Sequence, residues 1–485
     1  MTGALPRRQG VRVTKKEFPK IHFYDHDVVN IYNQTCHWLK EAWKTGTHKN
    51  GLASKYFNHP GNGKINQFEA IFSTFFLVYS NKMFPVSPVL DNFYNKQEAD
   101  GAIRGEYSEH DGKPILSKKN PKGVLPPLFS WAEYNMFHKI GFKKRIKEIM
   151  PKLEKYYAWL EKNFKSQNGL YSVPLAATMM ENSPRGDVCY PVDFNSQQAI
   201  NTLYMAYLSD ILNDKDKSYR YKRYYFSLKT RINSLMWNNT DGYYYDLDKK
   251  DKQIKVKTIA SFWPLLAEIP TEEKAAKLIT HLANPKEFGT ENPFPTLSAK
   301  DKNFDKSGYG YRGSVLPPFT YMVIKGLEKY QRYDLARECT IRHLYSIMDS
   351  LYPDNEKGEA LWEAYQPLQA GIAKWPKKDN FPRKRFLPYA AVTTVALLIE
   401  NLIGLLISLP RKTVDWIVPT LEIMGIEDLS LRRNLISILS NKSARGWEIK
   451  LESEKLYYFT IHIIGEKKKT LPIPSGKCSL LIEKI

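Results

Sequence analysis

Apolar residues recur at helical spacing from about residue 27 to about residue 408, with short Gly, Pro or Asn punctuation between the runs. A chain patterned this way buries its stripes by packing helix on helix. Val28, Val29, Tyr32, Cys36, Leu39 and Trp43 fall on one helical face, and Phe68, Ile71, Phe72, Phe75, Phe76 and Tyr79 form a second, more fully apolar one. Further helices are predicted near 127–140, 142–163, 193–212, 214–238, 261–283, 314–330, 332–352 and 390–408, with a short one at 88–97. Roughly ten to twelve helices suit six helical hairpins closed into a double ring. A solenoid would show a fixed period with recurring signature residues, and no such period is visible.

The 485 residues exceed a single core of about 250–300 residues, so a second region or a large layered assembly is expected. The character changes after about residue 410. Trp447–Leu451 alternates, Leu456–Ile464 is rich in β-formers, Ser479–Ile485 reads as another strand, and Pro472 and Pro474 mark a turn. The expected organisation is an N-terminal extension (1–26), a helical body (27–410) and a small β appendage (411–485) that packs on the body without chemistry of its own. Met1–Pro19 is basic and polar and lacks the apolar core of a signal peptide, which fits a cytoplasmic product or one whose leader has been trimmed. Tyr389–Leu409 has the length of a bilayer span, but Glu400 and Asn401 interrupt it, so a buried core helix is expected.

The net charge of +21 comes from lysines spread in short runs such as Lys143-Lys144-Arg145, Lys249-Lys250, Lys377-Lys378 and Lys467-Lys468-Lys469. No zinc-finger spacing or RNA-binding aromatic motif accompanies them, so solvated helix faces and turns account for most, and nucleic acid ranks low as a partner. Cys36, Cys189, Cys339 and Cys478 are far apart and form no CxxC pair, and the ten histidines are scattered singly, so neither a metal site nor a redox dithiol is indicated. Phosphate-binding, dinucleotide-binding, HExxH and GxSxG motifs are absent from the sequence. No cofactor is called for.

Several loop-like segments instead place carboxylates and amides beside aromatic rings. They are Leu90-Asp91-Asn92-Phe93-Tyr94, Pro126-Pro127-Leu128-Phe129-Ser130-Trp131-Ala132-Glu133, Met180-Glu181-Asn182-Ser183-Pro184-Arg185, Tyr309-Gly310-Tyr311-Arg312-Gly313-Ser314 and Leu361-Trp362-Glu363-Ala364-Tyr365. Glycoside hydrolysis needs two carboxyl groups across the scissile bond, one to protonate the leaving oxygen and one to activate water or attack the sugar. Glu181, beside a helix-breaking Pro184 and an arginine, and Glu363, between Trp362 and Tyr365, are the candidate pair among many exposed carboxylates.

In this order, these segments resemble those of the bacterial trehalase-like and family 63 glycoside hydrolases, including the mannosylglycerate-hydrolase-like group. The resemblance runs from about residue 20 to 408, with a looser likeness in the tail, and Ser261-Phe262-Trp263-Pro264-Leu265-Leu266 and Tyr321–Leu327 add to it. It implies an all-α (α/α)6 barrel with a small C-terminal β appendage, and inverting hydrolysis of a small α-linked glucoside or mannoside without metal or organic cofactor. It implies Glu363 as general base and Glu181 as general acid, where the family usually carries Asp. Asp91, Asn92, Trp131, Glu133, Arg185, Arg312 and Trp362 match positions lining the sugar subsite, and Phe68-Glu69 stands where the family has Trp-Asp. Tyr311 and Leu316 replace tryptophans, and Phe386–Ala390 departs from the usual Gly-Trp-Ser stretch. These departures keep a second expectation open: a catalytically impaired carbohydrate-binding protein on the same barrel.

Overall fold

Two kinds of helix emerge from the periodic stretch in the computed structural model, which describes residues 18–484 apart from 81–83, 352–359, 375–380, 419–421, 432–433, 445, 455–456, 464–468 and 474–475. The described helices are α1 (His26–Glu41), α2 (Gln67–Leu77), α3 (Ser87–Tyr94), α4 (Phe129–Ile140), α5 (Lys143–Phe164), α6 (Val192–Ile211), α7 (Lys215–Leu235), α8 (Trp263–Leu266), α9 (Glu272–Ala283), α10 (Pro317–Lys329), α11 (Tyr333–Asp349) and α12 (Leu387–Ala391). The last runs on into a π-helical stretch, Val392–Leu402. α2, α6, α8, α10 and the α12–π helix are buried nearly all round, whereas α1, α5, α7, α9 and α11 carry one buried stripe. A helix apolar on every side belongs inside other helices. α2 packs on α4, α4 on α6, α6 on α8, α8 on α10, α10 on the π-helical stretch, and that stretch on α2 again, so these helices close on themselves. The striped helices lie outside, with α1 on the π-helical stretch, α5 against α4 and α6, α7 on α6, and α11 on α10.

Local chemistry sets where these helices begin and end. Asn66 caps α2 by accepting from the backbone N–H groups of Phe68 and Glu69, and Asp25 and Thr271 cap α1 and α9. Pro317-Pro318 opens α10, and Gly141 at φ 76° ends α4. The stretch 261–283 is two helices rather than one, because Glu268 turns left-handed (φ 55°) and Pro270 follows. The predicted helix 390–408 stops at Leu402. Gly404 (φ 89°) passes so close to Ile417 that a Cβ would sit 2.2 Å from its carbonyl oxygen, and Leu405–Ser408 is a strand. Tyr389–Leu409 is therefore helix and strand in succession, and no helix among the described residues is long and apolar enough to cross a membrane.

The β region holds more than the three predicted strands. Lys20–Phe23, Met424–Leu431, Asn434–Ser443, Gly446–Ser453 and Gly476–Lys484 form one sheet in that order, and Leu405–Ser408, Thr413–Val418, Tyr457–Ile463 and Lys469–Ile473 form another. Within the stretch expected to be an extension, Lys20–Phe23 pairs antiparallel with Met424–Leu431, Lys20 opposite Glu427 and Phe23 opposite Met424. The sheets are tied to the helices. Trp416 Nε1 donates to the Ile403 carbonyl (2.7 Å), Leu409 N–H to the His138 carbonyl (2.8 Å), and His138 Nδ1 meets Ser408 Oγ at 3.0 Å. Cys36, Cys189 and Cys339 are free thiols, and burial pushes Cys36 and Cys339 up to about 12, where a thiol is inert. Residues 1–17, the lysine pairs 377–378 and 467–468, Pro474 and the side chain of Cys478 lie outside the described residues.

Candidate active site

A cavity of about 590 Å³ opens where α2 and α12 begin, walled by the segments around 105–125, 176–181, 311, 363 and 381–383. Glu69 lies in the first turn of α2, at the positive end of the helix dipole, which favours a carboxylate. Only 3% of it is exposed. Asn66 binds outward as well as inward. Its side-chain amide donates to Glu106 Oε1 (2.8 Å), which also meets Lys64 Nζ at 2.5 Å.

The floor of the cavity is a charged cluster built by chain pairing. Glu363 N–H donates to the Arg383 carbonyl (3.1 Å) and Phe386 N–H to the Leu361 carbonyl (3.1 Å), so Arg383 lies opposite Glu363. From there Arg383 Nε and Nη2 donate to the two oxygens of Glu363 at 2.9 and 2.6 Å, and its backbone N–H adds a third bond at 3.1 Å. Nη2 also reaches Glu69 Oε1 (2.9 Å), Nη1 reaches Asn62 Oδ1 (2.7 Å), and the Asn62 amide donates to Glu69 Oε2 (3.0 Å). The guanidinium carbon lies 3.6 Å from the centre of the Phe386 ring. Fork-shaped pairing of this kind fixes a carboxylate in plane as well as in place. Burial raises the Glu69 carboxyl above its ordinary value, Arg383 opposes the shift and nearby Glu363 adds to it.

Glu181 enters from another wall. Met179, left-handed at φ 62° after the short Leu175–Thr178 turn of 3₁₀ helix, swings the chain so that Met179 and Glu181 both line the cavity. Glu181 keeps more than a third of its surface open, but open to the cavity, with protein packed around it on the other sides. That crowding raises its carboxyl above the ordinary glutamate value. Asn182 holds the loop across the mouth by accepting from Tyr311 N–H (2.7 Å) and, through its carbonyl, from Arg312 Nε (3.1 Å). The Tyr311 hydroxyl is held well above its usual range by burial first, then by Glu181 and Glu363.

Of the residues expected to form the site, Glu69, Glu181 and Glu363 line this cavity together. The other seven do not line it, and each is engaged elsewhere. Arg185, wholly buried, pairs with Asp193 (2.7 and 2.8 Å) and Asp246 (2.6 and 2.7 Å); it anchors the Glu181 loop and has no free donor face for a sugar. Glu133 and Asp91 both bind Arg145, and Asn92 accepts from Ala53 N–H (2.7 Å). Trp131 packs against Phe72, Phe75 and Tyr321 in the core. Arg312 donates through Nε to the Asn182 carbonyl, and Trp362 is buried beneath Lys384. Arg383, Asn62 and Tyr389 also line the cavity, and sequence reading missed them. Arg383 sits in a basic run that reads as solvated surface, and only its place opposite Glu363 reveals its role.

Comparison with known proteins places the chain. Residues 89–374 match the family described as the mannosylglycerate hydrolase MGH1-like glycoside hydrolase domain, more than half of the chain. The chain belongs to that family. Its residues 404–485 match the C-terminal domain of trehalase, which covers most of the strands described above. An uncharacterized protein of Borreliella burgdorferi is 48% identical over 98% of this MGH1-like chain and the whole of its own length. A periplasmic trehalase of Salmonella paratyphi B is 26% identical over 39% of this chain, and the match spans 32% of that enzyme's length. Among solved structures, the family 63 mannosylglycerate hydrolase of Thermus thermophilus in complex with glucose superposes with a TM-score of 0.59 at 16% identity, covering 76% of this chain and 99% of that one. A sialidase gives 0.71 at 15% identity over 89% of this chain and 40% of its own. At such identities the shared feature is the fold, rich in helices with C-terminal strands.

Proposed function

We propose that this chain is an inverting exo-α-glycosidase acting on a small α-linked glucoside or mannoside, its ring of helices being an (α/α)6 barrel, with Glu181 the general acid and Glu363 the general base. The observation that carries this reading is the meeting of the two carboxyl groups in one cavity in contrasting surroundings. Glu181 has its proton favoured by crowding, while Glu363 is an acceptor oriented by three hydrogen bonds from Arg383. In such a site Glu181 gives its proton to the glycosidic oxygen as that bond breaks. Glu363 takes a proton from water, whose oxygen joins the anomeric carbon from the opposite face, and an α-linked substrate yields a β-sugar. Glu69 and Asn62, on the same floor, offer the remaining lone pairs of their side-chain oxygens as acceptors for sugar hydroxyls.

The test is a panel of α-linked disaccharides, trehalose among them, and glycosyl-glycerates, followed by NMR of the first-formed anomer. β-Anomer release is expected, falling at least about a hundredfold in Glu363→Gln with the fold intact. Full activity in that variant rejects the base assignment. A second reading, sugar binding without turnover, is favoured by one observation: both oxygens of Glu363 are already engaged by Arg383. It expects saturable binding across the panel and no released sugar.

A further inference from the structure

α7 lies on the outside of the helical ring, none of its residues lines the cavity, and its outward face is unlike the rest of the described surface. Its 21 residues hold seven Lys or Arg and one acidic residue, Asp216. Of the nine large hydrophobic side chains exposed among the described residues, three stand on it: Tyr219 (67% exposed), Tyr224 (42%) and Phe226 (59%). Chance scatter does not place a third of such residues on one helix. The inner stripe, Ser218, Tyr221, Tyr225, Leu228 and Ile232, packs toward α6, and the outer rings lean on it with one side only: Tyr224 lies 6.3 Å from Tyr157 and 6.2 Å from Tyr221, Phe226 lies 5.3 Å from Tyr225, and their other faces meet solvent.

The spacing sorts the outer residues into two rows. Tyr219, Arg223 and Phe226 follow one another at i, i+4 and i+7, and Arg220, Tyr224 and Arg231 at i, i+4 and i+11, so each ring is flanked by a guanidinium. Lys217 and Lys222 are neutralised by Glu154 (2.7 Å) and Asp210 (2.9 Å), but no carboxylate among the described residues pairs with Arg220, Arg223 or Arg231, all exposed. Neighbouring α5, joined to α7 where Tyr157 meets Tyr221 at 5.2 Å, adds exposed Lys155 and Lys162.

We propose that this face of α7 docks on an anionic lipid surface, the arginines meeting headgroup phosphates while Phe226 and the two tyrosines enter the boundary between headgroups and acyl chains. Arginine-flanked aromatic side chains on a surface helix are what an interface-lying element presents. Phe226 has no polar group to give a partner, and leaving headgroup water repays it. A second copy of this chain is disfavoured, since it would oppose the three unpaired arginines to three. Single-stranded nucleic acid needs rings set in a charged groove that tracks the backbone, and these stand on a convex helix.

Co-sedimentation of the full chain with phosphatidylcholine vesicles containing about a third phosphatidylglycerol tests this, against pure phosphatidylcholine and against about 0.5 M salt. Binding is expected only with the anionic vesicles, weakened by salt. Arg220→Gln with Arg223→Gln is expected to reduce it roughly thirtyfold. Tyr219→Ser with Phe226→Ser is expected to remove the part that survives salt, with thermal unfolding of both variants unchanged. Equal binding to neutral vesicles, no binding, or binding indifferent to both pairs of substitutions overturns the proposal. So does displacement from vesicles by an equal charge of mixed-sequence single-stranded DNA, or a dimer in sedimentation velocity that the substitutions abolish. None of these readouts uses glycoside turnover.

Discussion

Arg383 Nη2 stands 2.9 Å from Glu69 and 2.6 Å from Glu363, so a single nitrogen screens two carboxylates from each other. Removing it leaves Glu69 buried with only Asn62 for company. Arg383→Gln is therefore expected to lose about 3 kcal/mol in urea unfolding, and Glu69→Gln in the same chain to recover a large part of it, because the uncompensated charge is then gone. Glu181 gives a pH signature of definite sign. Its carboxyl is raised in the folded state, so its contribution to stability is fully present below the ordinary glutamate value of about 4.3 and is lost as pH rises through the raised value. Glu181→Gln cannot ionise. Its melting temperature relative to the unaltered protein is expected to be more favourable at about pH 8 than at about pH 4, and hydrolysis by the unaltered protein to fall on the alkaline side as Glu181 loses its proton. At this scale the sequence exposed the residues that motif order singles out, Glu69, Glu181 and Glu363. It hid those defined by partners. Arg185 lies four residues from Glu181, yet nothing local shows that Asp193 and Asp246 consume its guanidinium.

Among the elements, the outer helices were the most legible, because a single buried stripe leaves a 3.6-residue period in the text. α2 was legible by the same period, carried by Phe68, Ile71, Phe72, Phe75 and Phe76, although it is buried on every side. Legibility failed where helix gives way to strand without a change in hydropathy. The run from Tyr389 to Leu409 is mostly apolar, its charged Glu400 lies within the helix rather than at its end, and Gly404, needed for close approach to Ile417, marks the division. Lys20–Phe23 was missed because four residues carry little pattern and their partner strand is remote in sequence. Ile21 and Phe23 are 1% and 5% exposed, so this short strand is a packing element. Ile21→Ala with Phe23→Ala is expected to cost at least about 4 kcal/mol, read from the urea midpoint at constant slope.

For the molecule as a whole, the sheets and the helical ring share hydrogen bonds at His138–Ser408, His138–Leu409 and Ile403–Trp416 and a continuous hydrophobic core. Calorimetry is accordingly expected to show one transition, coincident with the loss of helical circular dichroism, rather than separate melting of residues 404–485. The closed ring was legible only as a helix count, since periodicity gives the faces of helices and not which helix meets which.

The pairing of Lys20–Phe23 with Met424–Leu431 also bears on synthesis. The first strand leaves the ribosome some 400 residues before the strand it must meet. At about 5–20 residues per second it waits tens of seconds with Ile21 and Phe23 uncovered, while the helices between are being made. The five-stranded sheet therefore cannot be complete until Gly476–Lys484 has been made, and until Met424–Leu431 emerges the nascent chain carries an unpaired strand edge, a segment for chaperones to shield and for premature termination to leave stranded.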